Sequence, residues 1–216
     1  MRSIHPIEGN PWPHDMVLTI EDHPSALLDL LWIRETYQLN PSGDDLPPLL
    51  SASHAVTQQN SIVQETRTEW ESAWPRLWHS ALAHAGTDVD PGLFDAVSRT
   101  AAGSAERLEL IGRMFGPTWR DAMGPEAFDT DAYVEWSRRG MDAHHAALPK
   151  SLDESPERRD LEAVIPAWRA GLTRVVAIPC AGAHTRKVGA NALLVTTATR
   201  DDSAGYRHAL GTFVDA

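Results

Sequence analysis

Two patterns of apolar residues run along the chain. In long stretches they recur every three or four positions, the period of a helix with one buried face. In three short runs they lack that period, which suits strands. Between Ala26 and Ile33 only Asp29 is polar. His23-Pro24 opens this segment, and a proline at the first helical position gives up no hydrogen bond the helix would have made. A helix is therefore expected through about Leu39, buried on most of its circumference, with Arg34 and Glu35 marking where it meets solvent. Residues 40 to 53, which contain Pro41, Gly43, Pro47 and Pro48, read as a loop. The longest helical stretch follows, roughly Ala55 to Ala85. Pro75 should kink or split it, because its ring removes a backbone donor and crowds the carbonyl four residues earlier. Further helices are expected at about Pro91 to Ala102, Ala105 to Phe115, Pro125 to Ala147, Pro156 to Leu172 and Ser203 to Leu210. Asp90 and Ser155 have side chains suited to capping. Glu109 with Arg113, Glu135 with Arg139 and Glu154 with Arg158 have the favourable i,i+4 order and mark solvated faces.

The three runs without helical period are Met16 to Ile20, Thr173 to Ile178 and Ala192 to Thr199. The last two are rich in β-branched residues and free of internal proline. Joined through Pro179 to Asn191, they read as a hairpin. A lone hairpin is rarely stable, so helices must cover it or Met16 to Ile20 must join it. The expected fold is α+β and predominantly α: a helical bundle with a small antiparallel sheet made by the C-terminal hairpin, which an N-terminal strand can extend. Length fits a single domain over 1–216. Its parts are an irregular arm over about 1–15, with Pro6, Pro11 and Pro13 around Trp12, a helical body over about 23–172, and the hairpin with a short helix over about 173–216.

Charge narrows the partners. Thirty acidic against 19 basic side chains give a formal charge of -11 over 216 residues. That opposes nucleic acid, whose binding draws on phosphate neutralisation. One cysteine, Cys180, allows no intramolecular disulfide and no multi-thiolate zinc site. Prolines and charges interrupt Met1 to Ile20 where a signal peptide needs an apolar stretch, and no run approaches the roughly 20 apolar residues that span a bilayer. A cytoplasmic, membrane-free protein without a cofactor is the expectation.

Motifs with demanding spacing are missing. Lys150 follows Pro149 and Lys187 follows Arg186, so no P-loop is written; GxGxxG and GxSxG are absent as well. No two of the ten histidines are three or four residues apart, and no Glu-x-x-His occurs, which removes the helical zinc and di-iron signatures.

Four weaker constellations remain. Trp70, Trp74 and Trp78, spaced four apart, suit either a flat ligand or, more simply, a packed core. Glu65 and Glu69, one helical turn apart, form a carboxylate pair able to hold a metal or divide acid and base roles. Asp142 and His145 supply two metal ligands at most. The loop from Cys180 to Lys187 gathers the only thiol with His184, Arg186 and Lys187. Cations and an imidazole favour thiolate, which makes Cys180 a candidate nucleophile and the other three candidate anion ligands. Missing catalytic signatures favour a non-enzymatic binding or interaction domain that meets a protein partner or another copy of itself. The alternative is a small-molecule enzyme acting on an acidic substrate through the Cys180 to Lys187 loop or a carboxylate/histidine cleft.

Overall fold

Short strands at either end of the chain bracket a long run of helices in the computed structural model, which describes residues 9–88 and 90–214. The first eight positions of the expected N-terminal arm, Pro6 among them, lie outside the described residues. In chain order the elements are β1 (Thr19–Glu21), α1 (Ser25–Thr36), α2 (Gln64–Ala85), α3 (Gly92–Arg99), α4 (Ala105–Phe115), α5 (Trp119–Met123), α6 (Asp131–Ala147), α7 (Pro156–Arg159), α8 (Leu161–Arg169), β2 (Arg174–Ile178), β3 (Thr185–Val188), β4 (Ala192–Thr196), α9 (Thr197–Asp201) and α10 (Ser203–Val214). The fold is α+β and mainly helical. The chain divides into two compact units: one comprises Met1–Pro24, Pro47–Ala55 and Glu135–Ala216, the other Ser25–Leu46 and Val56–Val134.

The first unit carries the sheet, in the order β1-β2-β4-β3. The C-terminal hairpin and the N-terminal strand are both present, but the pairing differs from the expected one. β1 runs parallel to β2, with Thr19 opposite Arg174, and β2 runs parallel to β4, with Arg174 opposite Ala192. The antiparallel hairpin is β3 with β4, Thr185 opposite Val195. The segment read as a connecting loop therefore holds a strand, and the sheet is mixed. β2 and β4 are buried along their whole length, as expected of parallel strands covered on both faces. Leu161, Val164 and Ala167 of α8 and Tyr206, Ala209, Leu210 and Phe213 of α10 pack with Val175, Ala177, Leu193 and Val195 of the strands. α8 is capped at its C-terminus by Ala170, and Gly171, at φ 110°, turns the chain into β2, a conformation that needs glycine. Ser155 caps α7 by accepting a bond from the Arg158 amide.

The second unit is built on α1 and α2. Leu27, Leu30, Leu31, Trp32 and Ile33 are buried, and so is Arg34, which was expected at the solvent boundary. Its guanidinium lies over the Trp74 ring, 5.3 Å from the centroid, where an aromatic face accommodates the charge. α2 begins at Gln64, nine residues later than the pattern suggests, and continues through Pro75 as one helix. Trp74 and Trp78 are fully buried and stacked at 5.3 Å, and the Trp74 indole donates to the Leu30 carbonyl at 2.8 Å. Trp70 meets Trp119 edge-on at 5.1 Å. Trp74 and Trp78 are core, and Trp70 is half-buried. α4 ends at Gly116, at φ 71°, where a β-carbon would lie 2.2 Å from the His84 ring.

Candidate functional site

The carboxyl ends of parallel strands are where open sheets gather ligands, because loops diverge there and leave a crevice. Here the ends of β1 and β4 bring Asp22 and Arg200 together. Glu21, Asp22 and His23 follow directly from β1, and Thr196 turns β4 into α9, which carries Arg200. The Arg200 Nη1 lies 3.8 Å from Asp22 Oδ2. From α6, His144 places its Nε2 3.8 Å from the other oxygen of the same carboxylate. The His23 and His144 rings stand 5.3 Å apart, and His145 follows at 5.8 Å from His144.

A fourth segment adds His54. Residues 49–51 bond across to 179–181 beyond β2: the Ser51 amide donates to the Pro179 carbonyl at 2.9 Å, and the Ala181 amide to the Leu49 carbonyl at 2.8 Å. A one-turn 3-10 helix, Ala52–His54, follows. The Trp136 indole of α6 donates to the His54 carbonyl at 2.7 Å, and the imidazole Nδ1 lies 3.1 Å from Ser53 Oγ and 3.3 Å from Ser51 Oγ.

Behind this half-exposed group lies a buried polar layer. Arg200 donates through Nε to Glu157 Oε1 at 2.8 Å and through Nη2 to Oε2 at 2.9 Å, and the Tyr206 hydroxyl donates to Oε1 at 3.1 Å. Asp160 is fully buried and accepts bonds from Ser203, from Arg207 Nε at 2.7 Å and from Arg159 Nε at 2.8 Å. Burial pushes the Asp160 carboxyl up, but these donors outweigh it and hold it below the ordinary carboxylate value. Its charge is thus fixed by design of the layer, and the same layer sets the Arg200 guanidinium at the edge of the cluster.

Titration within the cluster follows from its partial desolvation. Burial, then the nearby His144, lowers the His23 pKa, with Asp22 opposing. Burial and the charge of Arg139 lower that of His54. Both imidazoles are therefore neutral at pH 7, each able to donate from one nitrogen and accept at the other. Burial raises the Glu21 pKa, with Arg174 opposing. The arrangement sets imidazoles, the Asp22 carboxylate and the Arg200 guanidinium side by side at one edge of the sheet.

Of the residues singled out in the sequence, only His145 lies beside this group of rings. Glu65 and Glu69 are exposed on α2, in the other unit. Asp142 is exposed and pairs with Arg138 at 3.2 Å, four residues away on the same helix, and His145 is exposed. Among the described residues no group of three or more His, Cys, Asp or Glu is placed to hold a metal ion. Cys180 is 1% exposed and its amide bonds the Ile178 carbonyl at 2.9 Å. His184 is half-buried and donates its amide to Thr199 Oγ1 at 3.3 Å; Arg186 and Lys187 lie in β3 instead of at a loop tip, with the Lys187 ammonium 4.5 Å from the Phe213 ring centroid. The residues that do converge, Asp22, His23, His54, His144 and Arg200, come from four segments with no common spacing, so only the abundance of histidine hinted at them. Among the described residues no helix is long and apolar enough to cross a membrane. Comparison of the chain with protein-family models, with curated proteins and with solved structures finds no match.

Proposed function

We propose that the protein binds a small polar molecule at the cluster formed by Asp22, His23, His54 and His144. The carrying observation is convergence: three segments distant in sequence bring a carboxylate and three imidazoles to the carboxyl edge of the sheet, half-exposed and backed by an ionic layer in which Arg200 comes from a fourth. A rigid, hydrogen-bonded support under exposed titratable groups is what ligand recognition requires, since pre-ordered groups lose less freedom on binding. An imidazole beside a carboxylate also suits proton transfer, so acid–base chemistry on the bound molecule is the activity to assay first. The test is thermal unfolding of the full chain against a panel of sugars, amino acids, organic acids and nucleotides. A stabilising compound whose effect disappears in Asp22→Asn and His144→Gln, both folded as wild type, supports the reading. A panel without effect, or an effect unchanged in both variants, refutes it.

A second reading is favoured by α3 and α4 in the other unit. Phe94 is 73% exposed, Leu108 64% and Phe115 59%, and no residue of α4 is buried. Large exposed apolar side chains on an amphipathic helix suit contact with another helix. Light scattering over a concentration series tests self-association: a mass that falls to the monomer in Phe94→Asp or Leu108→Asp supports it, and a monomer at every concentration rejects it.

A further inference from the structure

We infer that Arg139 of α6 receives an oxyanion of the bound molecule, a carboxylate or a phosphate group, through the Nε and Nη2 edge of its guanidinium; this rests on the binding reading above. Both nitrogens are shielded from solvent, and neither has a hydrogen-bond partner. The sequence pairs Arg139 with Glu135, but Glu135 is exposed and the i,i+4 ion pair on this part of α6 is Arg138 with Asp142. The arginine assigned to a solvated face is the one whose fork is turned inward.

Other arginines in the same unit show what a structural role looks like. Arg200 has both Nε and Nη2 on Glu157, and Arg159 donates to Asp160 and to the carbonyls of Asp201 and Arg200 at 2.7 and 3.0 Å. Charged donors left covered and unpaired are costly, so native proteins retain few of them without a use. The Nε and Nη2 hydrogens point in parallel at the spacing of two oxygens on one carbon or phosphorus, the geometry of bidentate recognition.

The position of Arg139 on its helix ties it to the cluster. One turn before it, Trp136 holds the His54 carbonyl. Beside it, Gly140 faces the His54 ring, whose Cδ2 lies 4.0 Å from where a β-carbon would stand. One turn further on, His144 reaches Asp22. The same stretch of α6 thus presents an unpaired guanidinium, the support of one imidazole, and a second imidazole on a carboxylate. An anionic molecule would place its charged end on Arg139 and its hydroxyl or ammonium groups on Asp22 and the histidines. Entry requires the guanidinium or a side chain over it to rotate, a change of the size that commonly accompanies binding.

The experiment measures melting temperature and calorimetric binding of the full chain with sodium phosphate and with sodium succinate, against sodium chloride at matched ionic strength. Wild type, Arg139→Met and Arg139→Lys are compared. Either anion should stabilise wild type beyond chloride, phosphate alone or succinate alone identifying which oxyanion is preferred. Arg139→Lys should weaken the affinity about 10-fold or more, since the charge stays and the fork is lost, and Arg139→Met should abolish the response. The melting temperature of anion-free Arg139→Met should equal or exceed that of wild type, because two covered donors without partners have been removed. No response in wild type, an unchanged response in Arg139→Met, or a marked loss of melting temperature in that variant overturns the inference. A panel compound that needs Asp22 and His144 but binds Arg139→Met equally well overturns the inference alone and leaves the binding reading standing.

Discussion

Arg200 and Glu157 meet fork to fork, with two parallel bonds of 2.8 and 2.9 Å between side chains that are both nearly inaccessible to water. Breaking such a pair from one side leaves the other charge buried without its partner, which costs far more than the intact pair contributes. Glu157→Gln should therefore lower unfolding free energy by about 3 kcal/mol, and more than the paired replacement Glu157→Leu with Arg200→Met. Urea denaturation of the three proteins checks the order. Equal losses would mean that water already reaches the pair.

Trp74→Ala should cost about 3 to 5 kcal/mol, the range for deleting a large buried aromatic. The ring is fully buried, stacks on Trp78 and bonds Leu30 through its indole. Trp74→Phe keeps most of the volume and removes only the indole donor from the Leu30 carbonyl, which still accepts within α1, so its loss should be about 0.5 to 1.5 kcal/mol. Near-wild-type denaturation of the alanine variant would remove Trp74 from the core.

Stability should fall as pH drops below about 7. His23 and His54 have pKa values below the ordinary 6.5 in the folded chain, both through burial first. The unfolded chain then binds more protons as pH passes down through 6.5, and folding loses free energy until the lower folded values are reached. Glu21 has the opposite sign: its raised pKa contributes stability that is complete below the ordinary 4.5 and is lost as pH rises through the folded value. Urea midpoints from pH 5 to pH 8 should flatten in the His23→Gln, His54→Gln double variant. A slope unchanged by that double substitution would assign the dependence to other groups.

Cys180 should resist a thiol reagent such as dithionitrobenzoate in the native protein and react at the rate of unfolding, since a thiol 1% exposed offers no approach for the attacking disulfide. Prompt reaction with an unchanged circular dichroism spectrum would restore it as a candidate nucleophile.

The parts of the fold legible in the sequence are those set by neighbours along the chain. Ser155-Pro156 opens a helix as expected because the cap and the proline act on the next turn alone, and α4 has the limits its period indicates. β3 was hidden because an edge strand needs few apolar residues, and Thr185-Arg186-Lys187-Val188 reads as a polar turn. α9 was hidden because Thr197-Ala198-Thr199 has strand composition, while Thr196 caps the helix by accepting a bond from the Thr199 amide. Parallel pairing of β2 with β4 depends on the intervening β3, which no local pattern specifies. The candidate site was hidden for a similar reason: Asp22, His54, His144 and Arg200 are flanked by ordinary sequence and meet only when strands and helices distant in the chain pack together. Arg139 and Arg34 were assigned to solvated faces because a charge on a helix usually is solvated, and burial of either is decided by what packs on it.

The parallel pairing of Thr19–Glu21 with Arg174–Val176 also orders events in time. During synthesis β1 emerges first and waits for its partner strand through about 150 residues, several seconds or more at about 5 to 20 residues per second. Until then the segment ending in Glu21, Asp22 and His23 has no sheet to join, and its edge is open to strands of other nascent chains. Helices such as α1 and α2, whose contacts lie nearer in sequence, close without that delay. The cluster of Asp22, His23, His54 and His144 therefore has no complete sheet to rest on until β2 is made, and a polypeptide cut short before Arg174 lacks that support.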